Sequence, residues 1–281
     1  MDCIVGIFLD YNGDYFMDQF FVIEPFNLVY FVFIGVVFVA AAVFFRAVKK
    51  KPKEERWKIM VMLTSCVAAL LLFYKFSYRL DTEFIEDYPK YWGEYTILNE
   101  LPINPCNLVI ILMPLALYKK NDWLLSYCVF MGLISTSVAI LAPQQGYAGY
   151  SILKWHTFGF FLLHSLGIAI PAGVVYLGLY KPKYKDILKA VTVLAVTTLF
   201  DYLISLFLRK TGLCSVANYS FTMDPEGNPV LEFFYRLIPV QGLYVVGLLL
   251  MFIPGTIIIV TIYRMLQRKR MAPVGKKEET T

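Results

Sequence analysis

Charge is scarce in this sequence. Only 17% of its 281 residues are Asp, Glu, Lys or Arg, 58% are hydrophobic, and mean hydropathy is +0.60. A water-soluble globule of this size would lack the polar surface to cover itself, and a disordered or nucleic-acid-binding chain needs far more charge. Histidine occurs twice, which excludes a His-rich metal site. There is no Gly-rich phosphate loop and no Gly-x-Ser-x-Gly element. The five cysteines (Cys3, Cys66, Cys106, Cys128, Cys214) include no Cys-x-x-Cys and no metal spacing, so a disulfide-stapled module is excluded and no metal or cofactor is expected. Cys3 and Cys214 are expected on the same side of the membrane, with no geometry to pair them; Cys66 and Cys128 read as small apolar residues in mid-helix. Residues 1–25 contain no Lys or Arg, so the basic region of a signal peptide is missing. An internal repeat is missing too, which speaks against the inverted-repeat transporters.

What the chain has in quantity is long uncharged runs. Apolar segments fall near 26–45, 59–76, 101–118, 123–141, 157–179, 187–208 and 243–263, each of about the 18 to 22 residues that cross a hydrocarbon core of ~30 Å. The expected fold is an all-α, polytopic transmembrane bundle of seven helices. The third segment opens with two prolines, Pro102 and Pro105, and has Pro114 inside it, while Pro171 lies in the fifth and Pro254 in the seventh, which neighbouring helices in a bundle tolerate. With the N-terminus outside, the pieces 46–58, 118–122, 180–189 and 264–281 are cytoplasmic and hold 19 of the 26 Lys and Arg, whereas 14 of the 21 acidic residues fall outside. The positive-inside rule is therefore met at every turn. The expected organisation is an acidic extracytoplasmic tail (1–25), a membrane domain (26–265) and a basic cytoplasmic tail (266–281), in a multi-pass protein of the cell membrane. Phe16, Phe20 and Phe21 are expected to rest the first tail on the membrane surface, and the last to sit against anionic lipid.

Polar groups inside hydrocarbon are costly, so each is a candidate site. Cys106 and Asn107 lie 5 and 6 residues into the third segment, and His164 and Asp201 each lie 7 residues from the outer ends of the fifth and sixth. All four reach a stratum about 10 Å deep at ~1.5 Å per residue. Together they suggest a nucleophile with its base and orienter: Cys106 attacking an acyl carbonyl, His164 moving the proton, and Asp201 fixing the imidazole. Thr198, Asp201 and Ser205 form a stripe on one helix face, and His164, Gly167 and Pro171 share another. Asn104, Asn107, Thr198 and Ser205, with Asn218 and Tyr219 from the long loop 209–242, are expected to bind substrate, the loop serving as a lid. Other readings stand beside these: a helix histidine that only bonds a backbone carbonyl, or Asp201 in an ion pair with Lys75 or Arg79. His156 is expected at the membrane interface, Lys75 to snorkel, Ser135-Thr136-Ser137 to pack against a helix, and Tyr74, Tyr78, Tyr88, Tyr91 and Trp92 to form a headgroup belt.

Three of these stretches carry a resemblance. Leu101-Pro102-Ile103-Asn104-Pro105-Cys106 is similar to the Leu-Pro-Leu-His/Gln-Leu-Cys motif of the YwaF-type bacterial integral membrane proteins. Phe160-Phe161-Leu162-Leu163-His164 resembles their Phe-Phe-Leu-Ser-His, and Asn218-Tyr219-Ser220-Phe221 their Asn-Tyr-x-Phe. Order and spacing agree over roughly residues 98–250, with departures at Asn104, Pro105 and Leu163. Distant animal relatives resemble phospholipid acyltransferases that use a Cys and a His, which implies those roles for Cys106 and His164. The expectation is a lipid acyltransferase or acyl hydrolase acting near the outer leaflet, with membrane lipids as partners, an acyl lipid as substrate, and no nucleic acid. The alternative is a non-enzymatic carrier or receptor that binds a small solute or lipid in the same outward-facing pocket.

Overall fold

The structure is a computed structural model that describes residues 21–143, 146–226 and 229–271. The first twenty residues of the acidic tail, with Cys3, Phe16 and Phe20, and the basic tail beyond 271 lie outside the described residues. Six helices are long and apolar enough to cross a membrane. In chain order the helices are α1 (Leu28–Lys49), α2 (Lys53–Ser77), the short α3 (Thr82–Asp87) and α4 (Pro89–Trp92), α5 (Pro105–Tyr118), α6 (Asp122–Leu141), α7 (Trp155–Tyr176), α8 (Lys185–Lys210), α9 (Pro229–Leu237) and α10 (Val246–Met271). Two-residue strands, β1 (Val22–Ile23) and β2 (Tyr150–Ser151), pair antiparallel and tie the approach to α1 to the α6–α7 connection.

Local chemistry sets the helix ends. Asn27 caps α1 by accepting the Tyr30 N–H, and Asn121 caps α6 by accepting those of Trp123 and Leu124. Glu54 and Glu55 occupy the first turn of α2, and Arg46 and Lys49 the last turn of α1, each favourable to the helix dipole.

Of the seven expected crossings, the third is the one that differs. α5 has 14 residues, about 21 Å at ~1.5 Å per residue, and residues 101–104 stand outside it. The cause is local: a residue before proline is pushed out of the α region, and Asn104, before Pro105, is extended at φ −54°, ψ 148°.

Between helices in lipid the driving force is close packing, which small residues permit. α7 is central, with 67% of its apolar window buried against 11% for α1 and 22% for α8 and for α10. It meets α1 on one side and α6 on the other, and α6 also contacts α5, α8 and α10. Two reciprocal close approaches hold α6 on α7. A Cβ added to Gly167 would lie 2.6 Å from Thr136 Cγ2, and one added to Gly132 would lie 2.7 Å from Pro171 Cγ. Thr136 thus packs against a helix as expected, and the ring of Pro171 fills the groove that Gly132 leaves.

Candidate functional site

Within the bundle lies a cavity of about 510 Å³, within the range that holds a small-molecule ligand. Its wall is built by α2, α5, α6, α7, α8 and α10, with the segments 99–104 and 216–226 folded over one end. Val138 on α6 and Met251 on α10 line it and are also 56% and 52% exposed. The cavity therefore reaches the lipid-facing side of the bundle between those two helices.

Cys106 and His164 both line this cavity, as do Asn104, Asn107 and Thr198. Asn218 and Tyr219 reach it from the loop. Asp201 and Ser205 are fully buried and are not on its wall.

The imidazole of His164 is oriented by its own helix. Nδ1 lies 2.7 Å from the Phe160 carbonyl oxygen one turn earlier. A carbonyl only accepts, so Nδ1 carries the proton and Nε2 is the bare nitrogen. Nε2 has no hydrogen-bond partner among the described residues and is not sealed off by them. A proton acceptor is thus presented to the cavity. This replaces the expected orienter, because Asp201 sits elsewhere: its Oδ2 accepts from the Ser220 hydroxyl, and its Oδ1 has no partner among the described residues.

Asp201 instead belongs to a chain of contacts that ends at α5. Ser220 donates its side-chain proton to Asp201 and its backbone N–H to Asn104 Oδ1, at 2.8 Å for the latter. One turn further along α8, Ser205 Oγ accepts the Tyr219 N–H at 3.0 Å. Of the three polar residues expected as a stripe on α8, Asp201 and Ser205 clasp the loop and Thr198 lines the cavity. Ser220 and Phe221 hold φ values of 53° and 56°, a region unfavourable for side-chain-bearing residues that the clasp maintains. Asn218 is occupied in the same loop. Its Oδ1 accepts from Met223 and Asp224, while its Nδ2 donates to the Asp224 carbonyl and to Glu226.

Cys106 is the second residue of α5 and lines the cavity. Beyond it, the end of the cavity covered by residues 99–104 is polar. Lys75 Nζ lies 2.5 Å from Glu100 Oε2, both side chains largely buried. Tyr88 donates to Glu100 Oε1 at 2.7 Å, and Asn99 donates to the Tyr88 oxygen at 2.6 Å. Lys75 thus pairs with Glu100 and does not snorkel, and Asp201 makes no ion pair with Lys75 or Arg79. Tyr74, Tyr78 and Tyr88 are buried cavity wall, not a headgroup belt, because their hydroxyls find partners inside: His156 O, Tyr147 and Glu100 respectively. His156 is also interior, 1% exposed, with Nδ1 2.9 Å from Asp81 Oδ2 and its ring against Phe84.

The Lys75–Glu100–Tyr88 group escaped the reading from sequence. Its one signal was Glu100, an acid immediately before the apolar run at Leu101. The Phe160 carbonyl had no signal, since backbone groups are common to every residue.

No curated protein and no solved structure matches the chain. A family model does, over residues 21–268, and that range takes in all six candidate spans and the whole cavity wall. The chain is an integral membrane protein that belongs to the TMEM164 family.

Proposed function

We propose that this protein is a membrane-embedded lipid acyltransferase, or acyl hydrolase when water is the acceptor, working through a thioester on Cys106. The observation that carries the reading is that Cys106 and the unprotonated Nε2 of His164 line one cavity, without a hydrogen bond between them. The resemblance of the segments around both residues to the YwaF-type motifs supports it. So does the amphiphilic cavity, polar at Lys75, Glu100 and Tyr88 and apolar where Val138 and Met251 open toward lipid.

The reaction follows from these groups. Nε2 takes the thiol proton, the sulfur attacks the ester carbonyl, and the carbon–oxygen bond of the donor breaks. The leaving alkoxide, a lysolipid, recovers the proton from Nε2–H. An acceptor hydroxyl then loses its proton to Nε2 and attacks the thioester, and the departing thiolate is reprotonated. In this reading α5 completes a seventh crossing, the basic loops face the cytoplasm, and the cavity mouth lies toward the outer leaflet of the cell membrane.

The test is to incubate the purified chain in lipid nanodiscs with a diacyl phospholipid carrying isotope-labelled acyl chains, and to follow acyl-Cys106 by mass spectrometry. A hydroxylamine-sensitive adduct is expected that is lost in Cys106→Ala and formed far more slowly in His164→Ala. If wild type forms no adduct, and Cys106→Ser binds lipid as well as wild type while Asp201→Asn does not, the carrier or receptor reading replaces this one.

A further inference from the structure

The first turn of α5 holds a second unfilled function besides the thiol. Asn107 is 6% exposed and lines the cavity. Its carboxamide has no hydrogen-bond partner among the described residues, yet neither polar atom is sealed from the cavity. A carboxamide buried this deeply is normally paired, because an unmet donor or acceptor costs free energy.

The cap of the same helix is empty. Asn104 stands at the N-cap position but makes no side-chain cap hydrogen bond. Its Oδ1 is turned away to the Ser220 N–H, while its backbone oxygen accepts the N–H groups of Asn107 and Leu108 at 2.9 Å each. Pro105 has no N–H. The Cys106 N–H reaches no oxygen acceptor among the described residues and is directed at the sulfur of its own residue.

Resting on the acyl-transfer reading, we infer that the Asn107 carboxamide and the Cys106 backbone N–H together bind the oxyanion that forms when Cys106 attacks an acyl carbonyl. As the sulfur–carbon bond forms, the carbonyl π pair moves onto oxygen. Two donors on consecutive residues, one carried by the nucleophile itself, then face the new charge in a water-poor site, where preorganised donors act most strongly. When the tetrahedral species collapses, the pair returns to the carbonyl and the donor's alkoxide leaves with the proton from His164 Nε2. Asn104 and Ser220 act at one remove, as positioning residues, by keeping the cap side chain out of the oxyanion's place.

The experiment compares two reactions at the same sulfur. Acylation by the labelled phospholipid passes through an oxyanion; alkylation by iodoacetamide, a displacement at saturated carbon, does not. In Asn107→Ala and in the isosteric Asn107→Asp, single-turnover acylation should fall by about 10²- to 10³-fold, with Asn107→Asp the slower because a carboxylate repels the charge. In Asn107→Ala the alkylation rate should stay within about two-fold of wild type, which also reports that the variant is folded. Unchanged acylation in that variant, or alkylation falling in parallel with acylation, overturns the inference and makes Asn107 a packing residue. Failure of the underlying reading looks different: wild type itself alkylates but never acylates.

Discussion

The Phe160 carbonyl lies 2.7 Å from His164 Nδ1 and thereby decides which ring nitrogen the cavity receives. The contact is made within one helical turn, so it needs no third residue and survives changes elsewhere in the bundle. In ¹⁵N spectra of the chain labelled at histidine, His164 should show a protonated Nδ1 and a bare Nε2, in wild type and in Asp201→Asn alike. A protonated Nε2, or a tautomer that changes with Asp201, would return the orienting role to the carboxylate.

Asp201 acts on the loop. Replacing it with Ala leaves the Ser220 hydroxyl without its acceptor and loosens residues 218–226, whose positive φ angles the clasp holds. The expected loss is about 1 to 3 kcal/mol of stability, with faster hydrogen exchange over 218–226. Ser205→Ala should give a smaller effect in the same segment, since it frees one backbone N–H. Exchange confined to the interior of α8 would contradict the clasp.

Lys75 and Glu100 form a largely buried ion pair. Removing one partner strands the other, so Lys75→Met is expected to lower stability by about 3 to 5 kcal/mol, whereas the double variant Lys75→Met/Glu100→Gln should recover much of that. Thermal unfolding in detergent closes the cycle. Additive losses would mean that the two groups do not depend on each other.

Gly167 tests the helix packing. A Cβ there collides with Thr136, and Gly167→Val is expected to destabilise by at least about 1 to 3 kcal/mol through overpacking. The pairing with Thr136→Gly should restore part of the loss. No recovery would indicate that the approach of α6 to α7 is set elsewhere.

Acid should weaken the cap formed by residues 81–92. Burial alone would raise the Asp81 carboxyl, but hydrogen bonds from His156 and the Phe84 N–H hold it below its ordinary value. Asp87 is held low by Lys90 and Tyr150. A depressed carboxyl contributes fully above the unfolded value of about 3.9, and the contribution is lost as pH falls through the folded value. Unfolding temperature should therefore be flat from neutral pH to about pH 5 as far as these groups are concerned, then drop below about pH 4. Asp81→Asn should lower the plateau and flatten the drop.

Much of the fold was readable from the chain because lipid imposes a crude requirement. A run of uncharged residues long enough to cross must be helical, so six spans could be found by length and hydropathy alone. The third segment resisted for an equally local reason: Pro102 and Pro105 set the backbone before α5 in a way that a hydropathy window does not register. The rise of ~1.5 Å per residue gave an expected common depth for Cys106, Asn107 and His164, and the three line one cavity.

Direction was not readable, and direction assigns the roles. Asp201 and His164 are expected at one level, yet one faces a loop and the other a cavity, because the rotation of each helix is set by its neighbours through contacts such as Gly167 on Thr136. Lys75 and Glu100 are 25 residues apart in the chain, with a connection between them whose path no periodicity describes. The sequence by itself determined that this is a helical membrane protein with few polar groups in its apolar segments. Only the tertiary structure decided which of them meet, because pairing between side chains depends on helix rotation and loop path, and both come from packing between segments distant in the chain.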